Sequence, residues 1–115
     1  SPSRGLGDVY KRQIINTSKI FDVRLSMKKY EDNARVFKAL SDSKRLKILD
    51  MIHNEEKCAC VLLEKLDLTQ SGLSYHMRIL SEAGIVNFRQ DGKCTHYSIN
   101  EKGIQEAKKI LDDYL

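Results

Sequence analysis

Cys58-Ala59-Cys60 is the stretch whose residue types and spacing most directly suggest chemistry. Soft thiolate ligands prefer soft metal or metalloid ions to Mg or Ca. A single Cys beside an apolar helix is more often a small core residue than a ligand. A pair at a helix start, with Lys57 beside it, lies near the positive end of the helix dipole, which lowers thiol pKa. In an undistorted helix the two side chains point about 200° apart, so sharing an ion requires the local backbone to bend. Cys94 is the third cysteine and a further candidate ligand; its alternative is an inert residue of a strand. The same thiols could instead respond to oxidation.

The second chemical stretch is residues 69–84. Thr69 is a helix N-cap residue and Gly84 a C′ residue. Leu73, Met77 and Leu80 make one apolar stripe between them. The opposite face holds Gln70, Ser71, Ser74, Tyr75 and Arg78, short hydrogen-bonding groups almost free of acids. A helix built only for solubility alternates Glu and Lys. One that lays its first turns in a DNA major groove needs this polar set. Gln70, Ser71, Ser74 and Tyr75 are therefore expected at base edges, with Arg78 at phosphates. His76 is expected to pack or to contact a phosphate rather than to hold a metal.

The elements that position these groups read as follows. A helix over 28–40 carries Tyr30, Ala34, Val36, Phe37 and Leu40. Ser41-Asp42-Ser43 ends it and caps a second helix over 44–53. Lys44, Arg45 and Lys47 there are either a solvated face or phosphate contacts. After the polar break 54–57 and the cysteine pair, a short helix runs through Leu66. Two helices separated by about three residues, the second polar outside, make a helix-turn-helix. After Gly84 the period becomes two. Asp91-Gly92 reads as a two-residue type I′ turn, pairing Arg89 with Cys94, Phe88 with Thr95 and Val86 with Tyr97. Val86, Phe88, Tyr97 and Ile99 would share the core face, Cys94 and His96 the other. Arg89 and Lys93 near the hairpin tip are expected at phosphates. Asn100 caps a last helix over 101–114, with Ile104, Ala107, Leu111 and Tyr114 on one face. The fold class is mainly α with a β-hairpin wing, a winged helix-turn-helix.

Residues 1–26 differ from the rest. The first seven have loop composition, and Asp8-Val9-Tyr10-Lys11-Arg12-Gln13 resembles the translated end of a transposon used to prepare sequencing libraries. Residues 1–26 are read as an artefactual or disordered N-terminal extension, and 27–115 as the DNA-binding domain. This matters for charge. The 115 residues hold 20 basic and 16 acidic side chains, net +4. Residues 1–26 supply +3 of it (Arg4, Lys11, Arg12, Lys19 and Arg24 against Asp8 and Asp22), so global charge is poor support for nucleic-acid binding and local patterning must carry it. Three cysteines without a signal peptide suggest reduced thiols in a cytoplasm, and no apolar run approaches the roughly 20 residues of a membrane-spanning helix. An enzyme finds no support: there are no paired acids, no nucleophile with a His partner and no Gly-rich phosphate loop.

Four blocks in register resemble the ArsR/SmtB family of metal-responsive repressors. They are Lys38-Ala39-Leu40-Ser41-Asp42-Ser43-Lys44-Arg45-Leu46-Lys47-Ile48-Leu49, Glu56-Lys57-Cys58-Ala59-Cys60, residues 68–80, and Asp91-Gly92-Lys93-Cys94-Thr95-His96-Tyr97-Ser98-Ile99. The resemblance covers residues 36–99. It implies a homodimer joined by the first and last helices, binding to an inverted-repeat operator on double-stranded DNA, and release when a metal or metalloid binds. It also implies Cys58 and Cys60 as ligands, with As(III) or Sb(III) favoured over a soft divalent ion. No organic cofactor is expected. Some arsenic sensors have a third Cys where this chain has Leu63, and the wing often has Trp at the position of Cys94. The third ligand therefore stays open between Cys94 and a small external thiol. The family's alternative zinc site on the last helix needs Asp and His; Asp112 and Asp113 are present, but residues 101–115 contain no His. His53 and His96 are read as ordinary surface residues.

Overall fold

The computed structural model describes the backbone of residues 2–115 and the side chains of residues 19–115. In order the elements are α1 (Pro2–Leu40), α2 (Ser43–Ile52), β1 (Lys57–Cys58), α3 (Ala59–Lys65), α4 (Gln70–Glu82), β2 (Val86–Asp91), β3 (Cys94–Ile99) and α5 (Glu101–Asp112). The chain divides into two units, residues 1–32 and residues 33–115. Within the first, the described side chains are exposed, Phe21 and Tyr30 among them. The sequence reading began the first helix at 28; α1 is helical from Pro2. Residues 19–27 contain neither Pro nor Gly, so nothing there interrupts a helix.

In the second unit α2, α4 and α5 each start on a residue that caps them. Asp42 accepts from the backbone N–H of Lys44 at 2.9 Å and of Arg45 at 3.2 Å. Thr69 accepts from Gly72 N–H at 3.0 Å and Asn100 from Gly103 N–H at 3.1 Å. Such caps satisfy N–H groups that the first turn leaves without partners. The end of α4 is equally defined. Gly84 takes φ +76°, and the N–H groups of Gly84 and Ile85 return to the carbonyls of Ser81 and Leu80. This is a Schellman closure, open to Gly because it has no Cβ. It turns the chain directly into β2.

The core gathers Ala39 of α1, Ile48 and Ile52 of α2, Leu62 of α3, the Leu73-Met77-Leu80 stripe of α4, then Ile85, Val86 and Ala107. Leu46 of α2 is half exposed. Across the core, α5 lies so close to the α4 turn that a Cβ on Gly103 would collide with the Gly84 carbonyl oxygen.

The wing differs from its reading in two ways. It is a three-stranded antiparallel sheet, ordered β1-β3-β2. β1 has only two residues, pairing Lys57 with Tyr97 and Cys58 with His96. Two residues show no alternation; only the long-range pairing makes them a strand. The turn also lies one residue later than read. Asp91 pairs with Cys94, Arg89 with His96, Phe88 with Tyr97 and Val86 with Ile99. The loop residues are Gly92 and Lys93, and only Gly92 has positive φ, +62°. That is the type II′ pattern, with Gly first, rather than type I′. The pairing slips by two residues, so the faces keep their alternation. Phe88 nevertheless remains 62% exposed rather than joining the core.

Candidate DNA interface and thiol cluster

α4 separates its two faces cleanly. Leu73, Met77 and Leu80 are buried, while Gln70, Ser71, Ser74, Tyr75 and Arg78 are all exposed. The Thr69 and Ser71 hydroxyls lie 3.2 Å apart at the helix start. Arg78 stands over the Tyr75 ring at 5.9 Å, within cation–π range, so the two outermost side chains brace one another. The five residues read as DNA-facing on this helix thus form one open polar surface. Between α4 and the wing runs an open groove of about 430 Å³, lined by Ser74, Arg78, Phe88 and Thr95 among others.

His76 takes the packing alternative of its reading. It is 9% exposed, and its Nδ1 lies 2.9 Å from Nη1 of Arg45, itself 8% exposed. Arg is always a donor, so Nδ1 accepts and the ring proton sits on Nε2. Arg45 also donates to the Ala39 carbonyl at 2.8 Å and the Lys38 carbonyl at 3.1 Å. Both side chains are buried. Together they pin α4 to α2 and to the end of α1. Burial, then the neighbouring Arg45 and Lys44 charges, hold His76 below its ordinary pKa, against an opposing pull from Asp42.

At the wing tip Lys93 is exposed. Gln90 steadies the turn, donating to the Gly92 carbonyl at 3.2 Å and accepting from the Thr95 hydroxyl at 2.8 Å. Arg89 is differently placed. Its guanidinium grips both carboxylate oxygens of Glu56, at 2.6–3.1 Å, and approaches Asp91 at 3.8 Å. The clasp holds Glu56 below the usual carboxylate range and raises Arg89. An Arg so engaged is not a free phosphate contact. His96 completes this edge, its Nδ1 3.8 Å from Glu56.

Sheet register assembles the thiols. Cys58 is not inside the helix: it is the extended N-cap residue of α3, with φ −73° and ψ 146°, and ends β1. Cys60 lies in the first turn of α3. The sequence straddles a strand–helix junction, so the two sulfurs approach to 3.1 Å without distorting a helix. This removes the geometric obstacle raised from an undistorted helix, and with it the expectation that the backbone must bend to bring the thiols together. Hydrogen bonds from the Cys60 thiol, then from its backbone N–H, lower the Cys58 pKa. The Cys60 thiol is raised in turn by that same contact. Lys57, expected to assist, pairs with Glu55 at 3.4 Å instead. All three cysteines are free thiols. Cys94 shares a sheet face with Cys58, two residues along β3 from the His96 that Cys58 pairs with, and its thiol is raised chiefly by Cys58. Among the described residues no three His, Cys, Asp or Glu side chains are already gathered as a metal cage. His53 is exposed and joins nothing here.

Sequence reasoning missed Glu56, Gln90 and the role of Arg45. Arg45 sits in a basic run that reads either as a solvated face or as phosphate contacts. Glu56 becomes legible only once β1 is paired with β3.

Residues 42–87 match the family described as "Bacterial regulatory protein, arsR family". The chain is 38% identical over 88 residues to an HTH-type transcriptional regulator of Methanocaldococcus jannaschii, covering 76% of this chain and 99% of that one. It is 40% identical over 86 residues to an arsenical resistance operon repressor of Staphylococcus aureus, covering 75% and 76% respectively. Its fold is similar to a homodimeric winged helix-turn-helix DNA-binding domain from Mycobacterium bovis, with TM-score 0.64 and 23% identity, over 77% of this chain and 83% of that one. These proteins are regulators of transcription, not enzymes.

Proposed function

The chain belongs to the ArsR family of winged helix-turn-helix transcriptional repressors, and from that premise we propose that arsenite or antimonite, bound as thiolates by Cys58 and Cys60, releases it from its operator. The observation that carries this reading is the 3.1 Å approach of the two sulfurs at the β1–α3 junction. Soft ions suit such a pair, a soft divalent metal included. The likeness to the staphylococcal arsenical resistance repressor favours the metalloid.

Transmission is short. α3 is the first helix of the reading unit, and its Leu62 and Leu66 lie in the same core as Leu73 and Met77 of α4. A change at Cys58 and Cys60 therefore reaches the reading helix through one layer of packed side chains. The coupling needed is modest, about 1–3 kcal/mol, or 5–150-fold in operator affinity.

On DNA, Gln70, Ser71, Ser74 and Tyr75 face base edges, while Arg78 and Lys93 meet phosphates. Arg89 joins them only if Glu56 lets go. The working unit is a twofold dimer on an inverted repeat. Phe37, Leu111 and Tyr114 remain 36%, 57% and 75% exposed and supply apolar area for a partner copy. Residues 1–26 play no part in this reading. Among the described residues no helix is long and apolar enough to cross a membrane.

A second reading rests on the same distance. Two thiols at 3.1 Å can give up two protons and two electrons to an oxidant such as peroxide and close a disulfide. Band shifts on duplex DNA selected by the protein from a random pool decide between them. Release by arsenite but not by peroxide supports metalloid sensing. Release by peroxide alone supports the redox reading, and release by neither rejects both.

A further inference from the structure

The wing carries a thiol that DNA contact does not use. Cys94 is the first residue of β3 and is exposed. β3 is the central strand, with Cys58 directly opposite His96. Opposed residues share a face, as do residues two apart on one strand, so Cys58, Cys94 and His96 lie on the same face. Diagonal neighbours of this kind are about 7–8 Å apart at Cα, within reach of two side chains.

We infer that Cys94 is the third thiolate of the sensing site, so that trivalent arsenic or antimony ties the start of α3 to the tip of the wing. This rests on the reading that Cys58 and Cys60 bind the inducer.

The competing donors on this face are engaged. Both oxygens of Glu56 are held by Arg89, and His96 leans on the same carboxylate. Asp91, opposite Cys94, lies 3.8 Å from Arg89 and offers a hard oxygen donor; the three thiols are the soft set. Thiolate–metal bonds of about 2.3 Å require sulfurs roughly 3.5–3.8 Å apart. The Cys58–Cys60 pair, at 3.1 Å, needs only to open slightly. Cys94 must close in, and its one rotatable side-chain bond is not locked by packing, since the residue is exposed. Arsenous acid, As(OH)3, then exchanges three As–O bonds for three As–S bonds. Each thiol proton leaves with one hydroxyl group as water, and arsenic stays trivalent.

Cys94 immediately follows the Gly92-Lys93 turn. A bond there acts on the phosphate-contacting end of the wing as well as on α3, so one binding event perturbs both DNA-reading elements.

The test uses the full chain with arsenite in buffer free of small thiols, then with added mercaptoethanol. X-ray absorption should give three sulfur neighbours for arsenic in the unaltered protein, with affinity indifferent to mercaptoethanol. Cys94→Ser should show two sulfurs and one oxygen. Its affinity should fall by about 100-fold and recover when mercaptoethanol supplies the missing sulfur. Cys94→Ser with three sulfurs and unaltered affinity in thiol-free buffer overturns the inference. If Cys58→Ser abolishes binding in that case, the two-thiol reading stands without Cys94. No arsenite binding by the unaltered protein overturns both.

Discussion

Nη1 of Arg45 and Nδ1 of His76 lie 2.9 Å apart, both residues buried, and this hydrogen bond fastens the reading helix to α2. It requires neutral His76, because a protonated ring offers no acceptor and sets a second cation beside the guanidinium. The folded-state pKa of His76 lies below its ordinary 6.5. The unfolded chain therefore binds the proton first as pH falls. The stability contributed by neutral His76 is complete above the unfolded pKa and is lost as pH drops through it toward the folded value. Melting temperature should fall between about pH 7.5 and 5.5, and fall less in His76→Asn, which keeps an acceptor near Nδ1. Parallel pH profiles for the two proteins would remove His76 from this role.

DNA contacts divide by chemistry. Replacing Gln70 with Ala should cost roughly 1–3 kcal/mol and relax specificity at one base position. Lys93→Ala should weaken all sequences alike and reduce the salt slope by about one. Glu56→Gln should free Arg89 for a phosphate, tightening non-specific binding and steepening that slope. Salt titrations by fluorescence anisotropy read all three. Equal loss at cognate and scrambled sites for Gln70→Ala contradicts the base-edge assignment, and an unchanged slope in Glu56→Gln contradicts the clasp as the reason Arg89 is withheld.

Gly103 allows α5 to lie on the α4 turn, because a Cβ there would strike the Gly84 carbonyl. Gly103→Ala should destabilise by about 1–3 kcal/mol through overpacking. Urea unfolding measures it, and a neutral outcome would mean that α5 shifts freely.

Assembly depends on apolar side chains left bare. Leu111→Asp with Tyr114→Asp should convert a dimer to monomer by sedimentation at micromolar concentration and weaken DNA binding, because two half-sites would no longer be held together. A variant that stays dimeric moves the interface elsewhere.

Helix identities, the caps Asp42, Thr69 and Asn100, the Gly84 closure and the polar face of α4 were legible because each rests on local chemistry. What escaped depends on pairings distant in sequence. β1 is two residues whose partners come about forty positions later, and without it the Glu56–Arg89 clasp cannot be foreseen. His76 was read by its helix face, yet burial depends on Arg45, 31 residues away. The wing turn was misplaced by one residue because both Asp91-Gly92 and Gly92-Lys93 put a glycine in a two-residue loop, and only the backbone angles decide between them.

The most direct test of the account is operator release by arsenite, followed by anisotropy of a labelled cognate duplex, for the unaltered protein and for the Cys58→Ser/Cys60→Ser double variant. The unaltered protein should lose affinity by about 5–150-fold, while the double variant binds DNA normally and stays bound. Release of the double variant at the same arsenite concentration would place the sensing chemistry outside this pair of thiols and contradict the account.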